Sequence, residues 1–164
     1  MTTGIVSLLM LAVALPAPSG QPGAAMESLV GKYHATESGL PAGVLEVRRP
    51  LTPSGWYEMV LSLGHPDAMQ RIIWQLKPIQ GTERVRVIRR ESDPELLERE
   101  AEAYAVGSSL VISSWLVTRT GERLEVRDTV TYENSRDVTL RSMIWPPGAP
   151  APVELRLLKA SRIE

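Results

Sequence analysis

The stretch from Ser109 to Tyr132, SLVISSWLVTRTGERLEVRDTVTY, constrains the fold more than any other part of the chain. Two alternating runs flank a Thr120-Gly121 turn, which is the pattern of a β-hairpin with one buried face. Leu110, Ile112 and Leu116 share a face of the first run, and Leu124, Val126, Val130 and Tyr132 share a face of the second. Arg123, Glu125, Arg127, Thr129 and Thr131 fall on the opposite, solvated side. Asp128 breaks the pattern, lying between Val126 and Val130 where an unpaired carboxylate is costly. Either it pairs with an arginine at a barrel mouth, or a β-bulge turns it outward.

The same alternation recurs along the chain. Gly31 to Glu37, Gly43 to Leu51, Trp56 to Leu63, Gln70 to Lys77, Glu83 to Arg90, Val138 to Trp145 and Val153 to Lys159 all read as strands. Turn chemistry separates them at Pro53-Ser-Gly55, Gly64-His-Pro-Asp67, Pro78 to Thr82 and Pro146 to Pro152. In the closing strand Val153, Leu155 and Leu157 fall on one side. One stretch signals a helix start: Asp93 as N-cap, Pro94 at the first helical position and acids in the first turn predict a short helix near 93–100. Ala101, Ala103 and Ala105 then alternate as in extended chain.

About nine strands, within a range of eight to ten, with short connections predict an all-β fold, an antiparallel up-and-down barrel. Closure removes the exposed edges that an open meander presents to other chains. A chain of 164 residues without a later composition shift fits one domain over 26–164.

Residues 1–25 carry no charged side chain and contain the apolar run Gly4 to Leu15, too short for a membrane span and about the length of a signal-peptide core. Gly23 and Ala25 would permit cleavage before Met26. The expectation is a signal peptide and a secreted or periplasmic protein without a stable membrane anchor once the signal is removed; the alternative is a disordered or packed N-terminal extension. The balance of 18 basic and 19 acidic residues argues against a nucleic-acid footprint. With no cysteine, disulfides, thiolate metal sites and a cysteine nucleophile are excluded.

Leu29-Val-Gly-Lys-Tyr33 opening the first strand, and a run of hairpins ending at Leu157-Leu-Lys-Ala-Ser161, resemble the lipocalin-like calycin barrels. The middle third resembles the CpcT/CpeT chromophore lyases through Tyr57-Glu58, Pro66-Asp67, Gln70-Arg71 and Asp93-Pro94, although the cysteines of that family are missing. The resemblance implies a barrel with an internal cavity.

If the apolar faces line an interior, Arg49, Arg89, Ser114, Asp128, Ser142 and Lys159 are polar groups on otherwise greasy sides. An interior arginine with Asp128 and Tyr57 would fix the polar head of an apolar ligand, as few convergent polar groups do in most pockets. The candidate ligand-binding set is Arg49, Tyr57, Trp74, Arg89, Asp128, Tyr132 and Ser142. A structural ion pair is the competing explanation for Asp128, and core or rim packing for the four tryptophans. His34 and His65 stand alone without metal-ligand spacing, and no hydrolase, P-loop or dinucleotide motif occurs, so no metal or cofactor is expected. Two function classes compete: an exported barrel that takes up an apolar or amphipathic small molecule, and a barrel enzyme of lyase, cyclase or isomerase type using Asp128 or Tyr57 as acid/base. A structural or partner-binding domain is the third.

Overall fold

The computed structural model describes residues 22–91 and 96–163. The alternating runs form ten strands: β1 (Gly31–Glu37), β2 (Leu40–Arg48), β3 (Tyr57–Leu63), β4 (Gln70–Pro78), β5 (Arg84–Glu91), β6 (Leu96–Val106), β7 (Ser109–Thr118), β8 (Arg123–Tyr132), β9 (Asp137–Trp145) and β10 (Val153–Arg162). Each pairs antiparallel with its neighbour in sequence, and β10 returns to β1 to close the barrel. The fold is therefore the expected all-β up-and-down barrel, compatible with a calycin-like architecture. In the central hairpin Leu110 pairs with Val130, Ile112 with Asp128 and Leu116 with Leu124, so the period-2 face points inward throughout.

The helix expected near 93–100 is not formed over the described part of that stretch, 96–100. Residues 92–95 lie outside the described part of the chain, and from Leu96 onward the backbone is strand β6. Local capping chemistry is worth about 1 kcal/mol, less than the run of ladder bonds that β6 makes with β7 from Leu96 to Val106. The alanine alternation is the signal that holds: Ala103 and Ala105 point inward and are buried. The helix that does form, α1 (Pro22–Leu29), precedes β1 and packs on β6, β7 and β8. It sends Met26 and Leu29 into the core. Its junction with β1 is fixed by Tyr33, whose hydroxyl donates to the Leu29 carbonyl at 2.9 Å and accepts from Arg162 Nη2 at 2.9 Å.

A second correction concerns β10. Met143 and Ser142, consecutive on β9, pair with Glu154 and Arg156, so Leu155 is an extra residue in a β-bulge. Past the bulge the inward set is Arg156, Leu158 and Ala160, while Val153, Leu155 and Leu157 are exposed. Simple alternation fails because one inserted residue reverses the phase.

Met26, Leu29, Tyr33, Leu45, Met59, Leu61, Trp74, Leu76, Leu110, Ile112 and Leu140 belong to one contiguous core cluster, each at most 1% exposed. They fill the α1 end and the middle of the barrel. Polar side chains enter the interior toward the far end, where β4 and β8 begin and β7 and β9 finish.

Candidate functional site

Three inward side chains stand in one rung of the ladder. Asp128 on β8 pairs with Ser142 on β9, and Ser142 pairs with Arg156 on β10. Direct cross-strand partners have Cβ atoms about 5 Å apart, so the rung sets a carboxylate, a hydroxyl and a guanidinium side by side. Ser142 Oγ donates to Asp128 Oδ1 at 2.6 Å. From β5, Arg89 brings its Nε to 3.7 Å from Asp128 Oδ2, with both side chains at most 4% exposed. The Arg89 guanidinium also lies 6.0 Å from the centre of the Trp74 ring. Arg156 Nη2 reaches across the mouth to donate to Gln70 Oε1 on β4 at 3.2 Å, and its Nε is 3.9 Å from Glu37 Oε1 on β1.

A cavity of about 70 Å³ adjoins these groups, lined on its apolar side by Ile72, Leu116, Leu124, Val126, Ile144 and Leu155. At about 30 Å³ per water it has room for roughly two water molecules, the size of a polar head group and not of a drug-sized guest. A desolvated ion pair gains little net stability, because the Coulomb attraction has to repay the removal of both charges from water. Deeper polar atoms add to the cost. Trp74 Nε1 and Ser114 Oγ are buried without a hydrogen bond among the described residues.

The structure divides the predicted set. Arg89, Asp128, Ser142 and Trp74 come together inside the barrel, and Asp128 faces inward without a bulge in β8. Arg49 and Tyr57 lie at the α1 end instead. β2 ends at Arg48, so Arg49 stands beyond the rim, exposed, with its guanidinium on the Glu27 carboxylate. Tyr57 donates its hydroxyl to Glu27 Oε2 at 3.1 Å. The Arg49 hydrogen bond, with help from Tyr57, holds the Glu27 carboxyl below the ordinary glutamate range, while burial and then the Glu27 bond push the Tyr57 hydroxyl up. Tyr132 is partly buried against the same core. Asp128 and Tyr57 therefore do not converge on one ligand head group. Lys159 faces outward and is exposed.

Sequence reasoning missed Arg156 and Gln70 as members of the site. Arg156 was hidden by the bulge, which reverses its side; Gln70 was visible as the first inward position of β4. Of the tryptophans only Trp74 is interior. Trp56, Trp115 and Trp145 lie beside Lys77, Arg123 and Arg127, with the cation 5.9, 5.7 and 4.7 Å from the ring centre. His34 is exposed on β1, and His65 Nδ1 lies 3.3 Å from Asp67 in the turn after β3. Among the described residues no cluster of three His, Asp or Glu side chains is placed to hold a metal ion. No protein-family model matches the chain, and no curated protein matches it significantly.

Proposed function

We propose that this chain is an exported small barrel that binds an amphipathic small molecule at the far end of its interior. The ligand's polar group meets Ser142, Arg156 and the Arg89–Asp128 pair, and its apolar remainder extends toward the mouth. The observation that carries this reading is a rung of polar side chains held in a largely apolar barrel interior, beside a cavity of head-group size. A purely structural interior has no use for such a rung, since leucine or valine at these positions would avoid the desolvation. The likeness to calycin barrels supports the same reading.

Export is proposed from the uncharged leader. Cleavage before Met26 would shorten α1 to its last turn and leave the buried Met26 and Leu29 on the mature chain. The mature protein would then be periplasmic or secreted.

Native mass spectrometry of protein purified without detergent tests the binding. The expected result is a small-molecule adduct on the wild type that is lost in Ser142→Ala and Arg156→Gln. An adduct that persists in both variants, or a wild type that is bare and gains no thermal stability from a panel of amphipathic compounds, would overturn the reading.

A further inference from the structure

The barrel is closed, yet its wall is notched at the far end. β10 pairs with β9 from Val153 to Ser161, but its pairing with β1 starts only at Leu158, opposite Glu37. Residues 153–157 thus have a strand neighbour on one flank only, over about 17 Å at 3.4 Å per residue. On the other flank the chain turns back at Ser38 and Gly39 into β2. A groove of about 540 Å³ lies in this notch, between residues 36–39 and residues 154–159.

The groove and the inner cavity share two wall residues, Leu155 and Arg156. Arg156 therefore forms the partition, with Gln70 on one side and Glu37 on the other. Its contact with Glu37 is at the outer limit of an ion pair and makes no hydrogen bond. The other charges in the groove are unevenly matched. Glu154 is engaged by Arg141 Nε at 2.7 Å, whereas Lys159 has no ion-pair partner among the described residues. Leu155 and Leu157 are exposed beside them, at 55% and 38%.

We infer that the notch is the second half of the ligand site, and that its occupant is a single-chain anionic amphiphile. This rests on the interior site proposed above and names the ligand class. The anionic head takes the Arg156 guanidinium in place of Glu37, and the chain leaves through the notch over Leu155 and Leu157. A guanidinium matches a carboxylate through two parallel N–H bonds, which Glu37 does not supply at its present distance. The inner cavity is too small for the chain, and the groove outside has both the volume and the leucines. Lys159 at its outer edge adds attraction for an anion.

Isothermal titration with dodecanoate, dodecyltrimethylammonium and butyrate tests the assignment. Dodecanoate should bind at least about tenfold more tightly than either, the first comparison reporting head charge and the second the chain. Leu157→Glu, at a surface position that leaves the fold intact, should weaken dodecanoate by about tenfold or more without moving butyrate. Glu37→Gln should tighten dodecanoate several-fold by freeing Arg156. If dodecanoate binds and responds to Arg156→Gln but not to Leu157→Glu, the notch is not used and the inference fails while the interior site stands. Equal affinity for the cationic amphiphile, or no dodecanoate binding, also overturns it. Binding that ignores Ser142→Ala and Arg156→Gln removes the interior site itself.

Discussion

Two buried serines give the sharpest test of how the interior is held together. Ser142 and Ser114 both point into the barrel and are at most 5% exposed, so Ser→Ala is the same change in the same surroundings. They differ in their bonds. Ser142 donates to the Asp128 carboxylate at 2.6 Å, while Ser114 Oγ has no hydrogen-bond partner among the described residues. A hydrogen bond to a charged group contributes about 1.5–3 kcal/mol, so Ser142→Ala should cost that much. For a domain of this length each kcal/mol is about 2–4 °C, and the expected fall in Tm is roughly 3–12 °C. Ser114→Ala removes a hydroxyl whose burial without a partner already costs about 1–3 kcal/mol, less a small packing loss. Its stability should be unchanged or raised by up to about 2 kcal/mol. Urea unfolding followed by tryptophan fluorescence, with m-values compared, reads both. A Ser142→Ala loss below about 0.5 kcal/mol, or an equal loss at Ser114, would refute the assignment of a bonded and an unbonded hydroxyl.

Further outcomes follow from the backbone and the surface. Gly43→Ala should cost about 3 kcal/mol or more in urea unfolding, because an added Cβ would sit 2.0 Å from the Ser62 carbonyl oxygen and 3.0 Å from Leu63 Cα, both backbone atoms of the facing strand. Leu158→Ala should cost about 2–5 kcal/mol and its neighbour Leu157→Ala less than about 0.5, which checks the phase reversal at the bulge by calorimetry. The Glu27 carboxyl, lowered by Arg49, stabilises the fold above the ordinary glutamate pKa and loses that contribution as pH falls through its lowered value. Glu27→Gln should therefore be less stable than wild type near pH 6, with the difference shrinking as pH falls below the ordinary glutamate range, as read from denaturation midpoints across pH.

Periodicity reads the barrel well because its signal is the one the fold uses. A strand that faces a core on one side and water on the other must alternate, and Leu110, Ile112, Val126 and Val130 do. It places Asp128 inside for the same reason, and Arg89, buried on β5, is its partner there. It fails where an element ends or slips. Arg49 keeps the parity of Leu45 and Val47 but stands beyond the end of β2, where no interior remains to face. Its partner Glu27 comes from α1, whose packing no strand pattern reveals. The start of β6 fails differently: the Asp93-Pro94 signal is local, while the pairing of Ala103 with Ile112 and Val85 is set by the whole barrel.

The bulge at Leu155 connects these threads. Glu154 and Arg156 are two apart, and in a regular strand both would lie on one face. The extra residue sends them to opposite faces, so Glu154 binds Arg141 outside while Arg156 enters the rung beside Ser142. It does so where β10 has lost its β1 neighbour, so the local distortion breaks pairing on one flank only. The same residue is the apolar side chain that lines both the inner cavity and the outer groove. A barrel needing only stability would gain nothing by turning a guanidinium inward and a leucine outward at its rim. The proposed grip on a charged head inside, with a chain passing over the wall, would use both, and the α1 end, filled by fully buried side chains, offsets the cost. Each of these contributes about 1.5–3 kcal/mol, against an interior ion pair whose net worth is near zero.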